Sequence, residues 1–419
     1  MHFRAGPLRG EIQVPGDKSI SHRALILGAL SPQGISIENL NAGRDVRATI
    51  TALSALGAQI EESGTQAFVR AASFHDPSDP LDCMNSGSTT RMLMGICSGA
   101  NLRAQFTGDA SLSRRPMEPV AAQLRAFGAR IATNGGKLPL TVAGTNDPQT
   151  RRFILVNASA QIKTALLLAA TFGATPIEIF GDRHSRDHTE RLLAYFRADI
   201  DFDGKSIRLR AMPTDFKSVA VAGDFSAAAF FIVAALTTPG SRLTIRDVGV
   251  NPTRTGLLDA LNQMGGNIEL ENLRERCGEP VADIRVEHRP LRGIVVGPEL
   301  VIRAIDEVPA LAVAAAFATG QTKISGIGEL RTKESDRVAA IQRMLHAVGT
   351  TVEPLPNGIS IIGGRPIADG SIIETQHDHR TAMSVAALAA GAGGLGIDSS
   401  AGMDVSFPDF LSVLQKVQT

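Results

Sequence analysis

Lys18, Ser19 and Arg23 sit within the string PGDKSISHR, which gathers two cations and a hydroxyl just behind a Pro-Gly stop. RTKESDR repeats the theme with Lys333, Glu334 and Arg337. On a helix, Lys333 and Arg337 would stand i, i+4 on one face, where two cations repel unless an anion lies between them. Arginine forks suit carboxylates and phosphates, and lysine supplies a point charge. The chemistry these residues offer is therefore the binding of small polyanions. The same side chains would also suit capped helices with solvated charges, Glu334 and Asp336 neutralising the second string. Asp306, ahead of the apolar run VPALAVAAA, could likewise be a plain N-cap.

The elements that must position these residues recur along the chain. A short polar or charged entry leads into an Ala/Leu-rich helix, a small-residue turn and a strand. Copies begin at Lys18, Asn85, Ser159, Asp224, Asp306 and Asp378. Between them lies a second pattern, an amphipathic helix closing on a Gly-like C-cap and followed by a strand. Its caps are Gly57, Gly128, Arg197, Gly265 and Gly349, spaced 68 to 84 residues apart. The sixth copy is cut short, and the N-terminal strand LRGEIQV is expected to complete it. The unit is thus helix–strand–helix–strand–strand, six units make two similar α/β lobes, and the period is too long for a solenoid. Ser19, Asn85, Ser159, Asp306 and His379 all fall at N-terminal ends of apolar helices, where backbone N–H groups and the helix dipole favour anions. Arg23, Arg91 and Arg380 lie near three of those ends.

Composition narrows the function. Lys plus Arg and Asp plus Glu each number 42, so no long-range field favours nucleic acid or a membrane surface. Trp is absent and Tyr occurs once, against a base-stacking surface. Hydrophobic residues make up 43%, enough for large cores built on Ala, Leu, Ile and Val. The longest apolar runs, near residues 227–236 and 308–319, are too short to span a bilayer. Three cysteines without C-x-x-C spacing, and an N-terminus without a signal-peptide core, lead us to expect a cytoplasmic protein.

PGDKSISHR, MNSGSTTR, GDASLSRRPM, SAQIKTALLLAA, SRDHTER, DEVPALAVAAA, RTKESDR and DHRTAMS occur in one order from Pro15 to Pro408. Together they resemble the 5-enolpyruvylshikimate-3-phosphate (EPSP) synthase family, of the bacterial class II kind. The resemblance implies the enolpyruvyl transferase fold: two inverse α/β-barrel-like domains, each of three βαβαββ repeats. One domain would hold residues 18–221, the other residues 1–17 plus 222–419, with hinge crossovers near 16 and 222 and the active site in the cleft between lobes. It implies transfer of the enolpyruvyl group of phosphoenolpyruvate to the 5-hydroxyl of shikimate 3-phosphate, releasing phosphate, on the shikimate pathway to chorismate and the aromatic amino acids. No cofactor and no metal are expected. The partners implied are the two small-molecule substrates, with no nucleic acid and no membrane, and the chain is expected to be a monomer.

Carried over residue by residue, the resemblance assigns shikimate 3-phosphate to Lys18, Ser19, Arg23, Ser159, Gln161, Ser185, Arg186, Asp306 and Lys333. It assigns phosphoenolpyruvate to Lys18, Asn85, Gly87, Arg115, Gln161, Arg337, His379 and Arg380. Asp306, Glu334 and Lys18 are the expected catalytic residues, with Asp306 and Lys18 around the hydroxyl and Glu334 as the acid for C3. Met84, Ser88, Ala160, Glu329 and Val405 depart from residues common in the family or in its plant and enterobacterial class. Val405 stands in place of a phosphoenolpyruvate-binding lysine. Gly87, kept where Ala would narrow the turn, implies a glyphosate-sensitive site. UDP-N-acetylglucosamine enolpyruvyl transferases share the fold and donor, but use Lys-Asn at Lys18-Ser19 and a loop cysteine near the donor. Cys83 and Cys97, in a helix entry and a buried helix, read as structural.

Overall fold

The structure is a computed structural model that describes residues 1–71, 73–156, 159–182 and 184–418. Its chain divides into two compact units, one of Gly16–Val221 with Arg276–Glu279, the other of Met1–Pro15, Ala222–Glu275 and Pro280–Thr419. Each has its own hydrophobic core. Among the described residues no helix is long and apolar enough to cross a membrane.

The chain begins with β1 (Arg9–Gln13). The first repeat then runs α1 (Lys18–Gly28), β2 (Ile35–Glu38), α2 (Arg44–Ala55), β3 (Gln59–Ser63) and β4 (Gln66–Arg70). The second is β5 (Leu81–Asp82), α3 (Gly87–Gly99), β6 (Arg103–Thr107), α4 (Glu118–Phe127), β7 (Arg130–Asn134) and β8 (Lys137–Ala143). The third is β9 (Arg152–Ile154), α5 (Ala160–Phe172), β10 (Ile177–Phe180), α6 (His188–Tyr195), β11 (Asp199–Phe202) and β12 (Ser206–Ala211). After β13 (Val219–Ala220) come α7 (Phe225–Thr237), β14 (Arg242–Gly249), α8 (Gly256–Gln263), β15 (Asn267–Arg276) and β16 (Glu279–Glu287). The fifth repeat is β17 (Val295–Val296), α9 (Pro298–Ile302), α10 (Val308–Phe317), β18 (Gly320–Ser325), α11 (Arg337–His346), β19 (Thr351–Leu355) and β20 (Gly358–Gly363). The sixth is β21 (Ile372–Ile373), α12 (His379–Ala392), β22 (Gly396–Ile397) and α13 (Phe410–Val417).

Within the repeats the rule is uniform. The helix rich in Ala and Leu is buried, and the strand after it pairs in parallel with an edge strand, as β5 with β6, β9 with β10, β17 with β18 and β21 with β22. In all but the sixth repeat a hairpin completes a four-stranded sheet, in the order β5-β6-β8-β7 or its equivalent. The outer helices end on left-handed residues at Gly57, Gly128, Arg197, Gly265 and Gly349, the five positions where the sequence pattern asks for a cap. Arg197 has φ +61, so here the repeat imposes a conformation that L side chains rarely adopt.

Two edge strands are exchanged. β1 precedes α1 in the chain, yet it pairs in parallel with β14, from Arg9↔Arg242 to Gln13↔Arg246. β13 precedes α7, yet it pairs with β2 through Val219↔Ile37 and Ala220↔Glu38. This corrects the expectation that LRGEIQV completes the sixth copy. That strand supplies the parallel edge of the fourth repeat, and Met1 and Phe3 lie beside β22 instead, with Phe3 N donating to Leu395 O and Ile397 N to Met1 O, each 2.8 Å. One parallel edge strand is needed ahead of each buried helix, and the chain meets that need by swapping strands at its two crossings. At Gly16 a Cβ would stand 1.7 Å from Asn39 O, so only glycine lets the first crossing strand pass there.

Close helix contact explains the wealth of Ala and Gly. A Cβ on Gly95 would lie 2.3 Å from Ala165 O, and one on Gly99 would lie 1.9 Å from Ala169 O. α3 and α5 thus meet backbone to backbone. Gly99→Ala is expected to destabilise the protein by about 1–3 kcal/mol, because a carbonyl and not a flexible side chain must yield. Gly364→Ala, with open space around its Cβ, is the control. Equal denaturation midpoints for the two variants would contradict this packing.

Candidate active site

A helix buried on all sides must find acceptors for its first N–H groups inside the protein. Asp17 Oδ1 accepts from Ile20 N at 3.0 Å to close α1. Ser86, Ser159, Asp224 and Asp378 do the same for α3, α5, α7 and α12. The N-terminus of α10 differs. Pro309 stands in its first turn, and Glu307 at the cap position makes no capping bond. The carboxylate of Asp306 is engaged elsewhere, which excludes the plain N-cap reading.

In the unit containing α1–α6, Lys18 Nζ donates to Asp45 Oδ2 at 2.7 Å. Arg23 is buried and donates to Thr189 Oγ1 at 2.7 Å, Thr164 Oγ1 at 2.8 Å and Ser19 O at 2.9 Å. Burial lowers its guanidinium to about 10 against the pull of Glu190 and Asp17, which leaves it charged at neutral pH. These bonds bring Ser19 on α1, Thr164 on α5 and Thr189 on α6 together, beside the Ser185–Arg186 segment. Arg115 reaches Asn85 through both its carbonyl, at 3.2 Å, and its side chain. Gln161 Nε2 donates to Ser88 Oγ at 3.4 Å, linking α5 to the turn that holds Gly87. A Cβ on Gly87 would stand 2.6 Å from Arg91 Nη1 and 3.4 Å from Arg115 Nη1, so the absent side chain leaves room for both guanidinium groups.

His22 ties α1, α2 and α3 together. Its Nδ1 lies 2.7 Å from Thr49 Oγ1, which lies 2.7 Å from Thr89 Oγ1. Thr89 in turn donates to Ser86 Oγ at 2.7 Å and to Asp45 O at 3.2 Å. Burial, with Lys18 and Arg23 nearby, holds the imidazole far below its ordinary value and hence neutral.

In the other unit, Arg337 is the hub. Its side chain is buried, and Nε donates to Asp378 Oδ2 at 2.8 Å, Nη1 to Asp306 Oδ1 at 3.3 Å and Nη2 to Glu334 Oε2 at 2.5 Å. Burial works against its charge, but the three carboxylates outweigh that and raise its pKa; burial likewise opposes ionisation of Asp378, and Arg337 prevails to lower it. Removing one partner of such a buried pair costs about 3–5 kcal/mol. Arg380 lies 3.6 Å from Asp306 Oδ2 and 3.6 Å from Glu307 Oε1. Ser226 bridges Glu307 to Arg254, whose Nη2 is 2.9 Å from Asp224 Oδ1. One carboxylate or guanidinium thus follows another across the ends of α7, α10, α11 and α12.

Against this geometry, residues 4–414 match the EPSP synthase family, 3-phosphoshikimate 1-carboxyvinyltransferase. The chain is 44% identical over 416 residues to the protein of that name from Carboxydothermus hydrogenoformans, covering 98% of this chain and 97% of the relative. A Thermus thermophilus protein of the same name is 44% identical over 421 residues, at 98% and 97% coverage. The solved EPSP synthase from Acinetobacter baumannii superposes with a TM-score of 0.84 at 36% identity, covering 100% of this chain and 98% of the other. The chain belongs to the EPSP synthase family.

Five of the EPSP synthase signature strings fall where the buried helices α1, α3, α5, α10 and α12 begin, and the other three lie at the starts of the outer helices α4, α6 and α11, with one correction. Lys333 and Arg337 do not share a helix face. Asp336 Oδ1 accepts from Ala339 N, so α11 starts only at Arg337. Lys333 lies before it, at the end of a 3-10 turn (Gly328–Thr332), and donates to Glu329. Ser19 and His379 lie in the first turns of α1 and α12, at the helix ends where the sequence placed them, while Asp17 and Asp378 rather than they hold the cap positions. Ser185 does not cap α6 either: its Oγ donates to Asp182 Oδ1 at 2.7 Å, while Asp187 pairs with Arg191 at 2.9 Å. Sequence reasoning missed Asp378, Glu307, Arg254 and Asp45 as members of these clusters. The acid before each buried helix was the available signal for the first two. Cys83 and Cys97 are buried free thiols, with burial pushing Cys83 up to about 12.

Because the folded pKa of His22 is depressed, the unfolded chain takes up a proton near pH 6.5 while the folded chain does not. Stability therefore falls as pH drops below that value. Between pH 7.5 and 5.5 the wild type is expected to lose about 1 kcal/mol more than His22→Asn. Parallel stability–pH curves for the two proteins would contradict a neutral buried His22.

Proposed function

We propose that this chain transfers the enolpyruvyl group of phosphoenolpyruvate to the 5-hydroxyl of shikimate 3-phosphate, with residues of both units serving the same pair of substrates. The observation that carries the reading is Arg337, whose single buried guanidinium holds Asp306 and Glu334 on two arms while Asp378 locks the third. Asp306 and Glu334 are the acids assigned to the proton transfers. A phosphate or carboxylate of phosphoenolpyruvate suits the same two arms. Its arrival frees Asp306 and Glu334 to face the reacting atoms.

In the addition step the 5-hydroxyl oxygen bonds to C2 of phosphoenolpyruvate, its proton passes to Asp306 or Lys18, and C3 receives a proton from Glu334. In the elimination step the C2–O bond to phosphate breaks, C3 returns a proton, and the enol ether and inorganic phosphate leave. Lys18, Asn85, Gly87, Arg115, Gln161, Arg337, His379 and Arg380 are assigned to phosphoenolpyruvate, and the three arginines among them balance the charge developing on its phosphate. Lys18, Ser19, Arg23, Ser159, Gln161, Ser185, Arg186, Asp306 and Lys333 are assigned to shikimate 3-phosphate. Val405 leaves the phosphoenolpyruvate set without the lysine of other classes, and Arg254 and Glu307 support Arg380 from behind.

On this reading the enzyme works in the cytoplasm as a monomer of 44.2 kDa, and sedimentation as a dimer would overturn the second part. Phosphate release is expected only when both substrates are present, in the absence of added metal. Asp306→Asn is expected to lower kcat on the order of 100-fold or more. Glu334→Gln should slow solvent-isotope incorporation at C3, and unchanged exchange would remove Glu334 from the mechanism. Gly87 leaves space before Arg115, so glyphosate should compete with phosphoenolpyruvate, and an inhibition constant far above the phosphoenolpyruvate KM would contradict that role.

A further inference from the structure

Lys163 lies on α5, two residues beyond Gln161, and the reaction as assigned above gives it no task. Its side chain is fully buried. A buried ammonium needs an acceptor for each of its three N–H bonds. Asp182 Oδ2 accepts from Lys163 Nζ at 2.8 Å and Ser185 O at 2.9 Å, and Glu190 Oε1 forms an ion pair with it at 2.8 Å. Burial alone would depress Lys163, but Glu190 and Asp182 outweigh it and the net shift is upward, so the ammonium stays charged. The two acids flank the segment assigned to the substrate phosphate. Asp182 precedes Ser185 and accepts from its Oγ at 2.7 Å, and Glu190 follows on α6.

The neighbouring cation is treated differently. Arg23 feels the attraction of Glu190, yet its three hydrogen bonds go to neutral oxygens, those of Thr189, Thr164 and Ser19. A guanidinium beside a buried carboxylate ordinarily pairs with it in a fork. That fork does not form here, and Glu190 and Asp182 pair with Lys163 instead. We propose that Lys163 is a positioning residue that sequesters Asp182 and Glu190, keeping the charge of Arg23 and the Ser185–Arg186 segment available to the phosphate of shikimate 3-phosphate. The inference rests on the assignment of that phosphate to Arg23, Ser185 and Arg186. Without the ammonium, two buried carboxylates would turn to the nearest guanidinium groups and compete with the substrate.

Calorimetric titration of the full-length protein with shikimate 3-phosphate, alongside KM for each substrate, tests this. Lys163→Met is expected to weaken shikimate 3-phosphate binding on the order of tenfold, which is about 1.4 kcal/mol, while the phosphoenolpyruvate KM stays within about twofold. Lys163→Met/Asp182→Asn/Glu190→Gln removes the ammonium together with both carboxylates, and neutral replacement of a buried ionic cluster is often tolerated. It is expected to recover most of the lost affinity, and it carries the test alone should Lys163→Met fail to fold. Unchanged binding in Lys163→Met, an equal rise in both KM values, or a triple variant that folds yet binds no better than a tenth as well as wild type would each overturn the proposal. Failure of the wild type itself to bind shikimate 3-phosphate would instead overturn the assignment on which it rests.

Discussion

A helix buried on every side has no water for its first N–H groups, and their positive end attracts negative charge. The chain meets this constraint six times. Asp17, Ser86, Ser159, Asp224 and Asp378 close five of the buried helices with their side chains. A polar shell therefore gathers at one end of each otherwise apolar helix, and the residues able to do chemistry lie in that shell. α10 is the exception that shows the rule at work. Pro309 removes a donor from its first turn, and Asp306 and Glu307, released from capping, turn to Arg337, Arg380 and Ser226. The helix without a side-chain cap is the one that carries the acid assigned to the substrate hydroxyl.

The neutral net charge has a counterpart in how the buried cations are held. Lys163 and Arg337 are both buried, and each has carboxylates at hydrogen-bonding distance. An unpaired cation at those depths would be costly, so pairing is a condition of folding. It also defines how anionic substrates can enter. On the proposed reading, an anion that reaches Arg337 exchanges with its carboxylates, whereas Arg23 is held by neutral oxygens. At Arg337 the exchange is graded: the Asp378 side chain is 0% exposed, against 15% for Asp306 and 19% for Glu334. The inner arm stays fixed and the outer two can change partner.

Much of this was legible in the sequence because it repeats locally. The five C-caps were visible as a pattern, and even Arg197, a residue with no intrinsic taste for φ +61, adopts it because the repeat requires a turn there. The strings that carry the candidate site were legible for the same reason, since each sits at or just ahead of the start of a helix of the repeat. What escaped the sequence depends on long-range geometry. Lys333 and Arg337 have the spacing of helix neighbours, but the capping bond from Asp336 to Ala339 N sets the helix start between them. Lys163 looks like any residue of an apolar helix until α6 brings Glu190 against it.

The strand exchange lies furthest from what a sequence can disclose, because parallel pairing carries no local mark. β1 and β13 are both short and ordinary, and each pairs with a repeat on the other side of a crossing point. Gly16 and Asn39 make the first crossing sterically possible, and Asn39 Nδ2 also donates to Val221 O at 2.9 Å beside the second. One residue pair thus serves both crossings. No single cut then separates the two units with all their sheets complete. Residues 222–419 alone lack the parallel edge of the β14 sheet, and residues 1–218 lack that of the β2 sheet. The exchange leaves Gly16–Val221 continuous with its own strands, makes the other unit depend on the separate stretch Met1–Pro15 for an edge strand, and places Lys18 only a few residues beyond that strand.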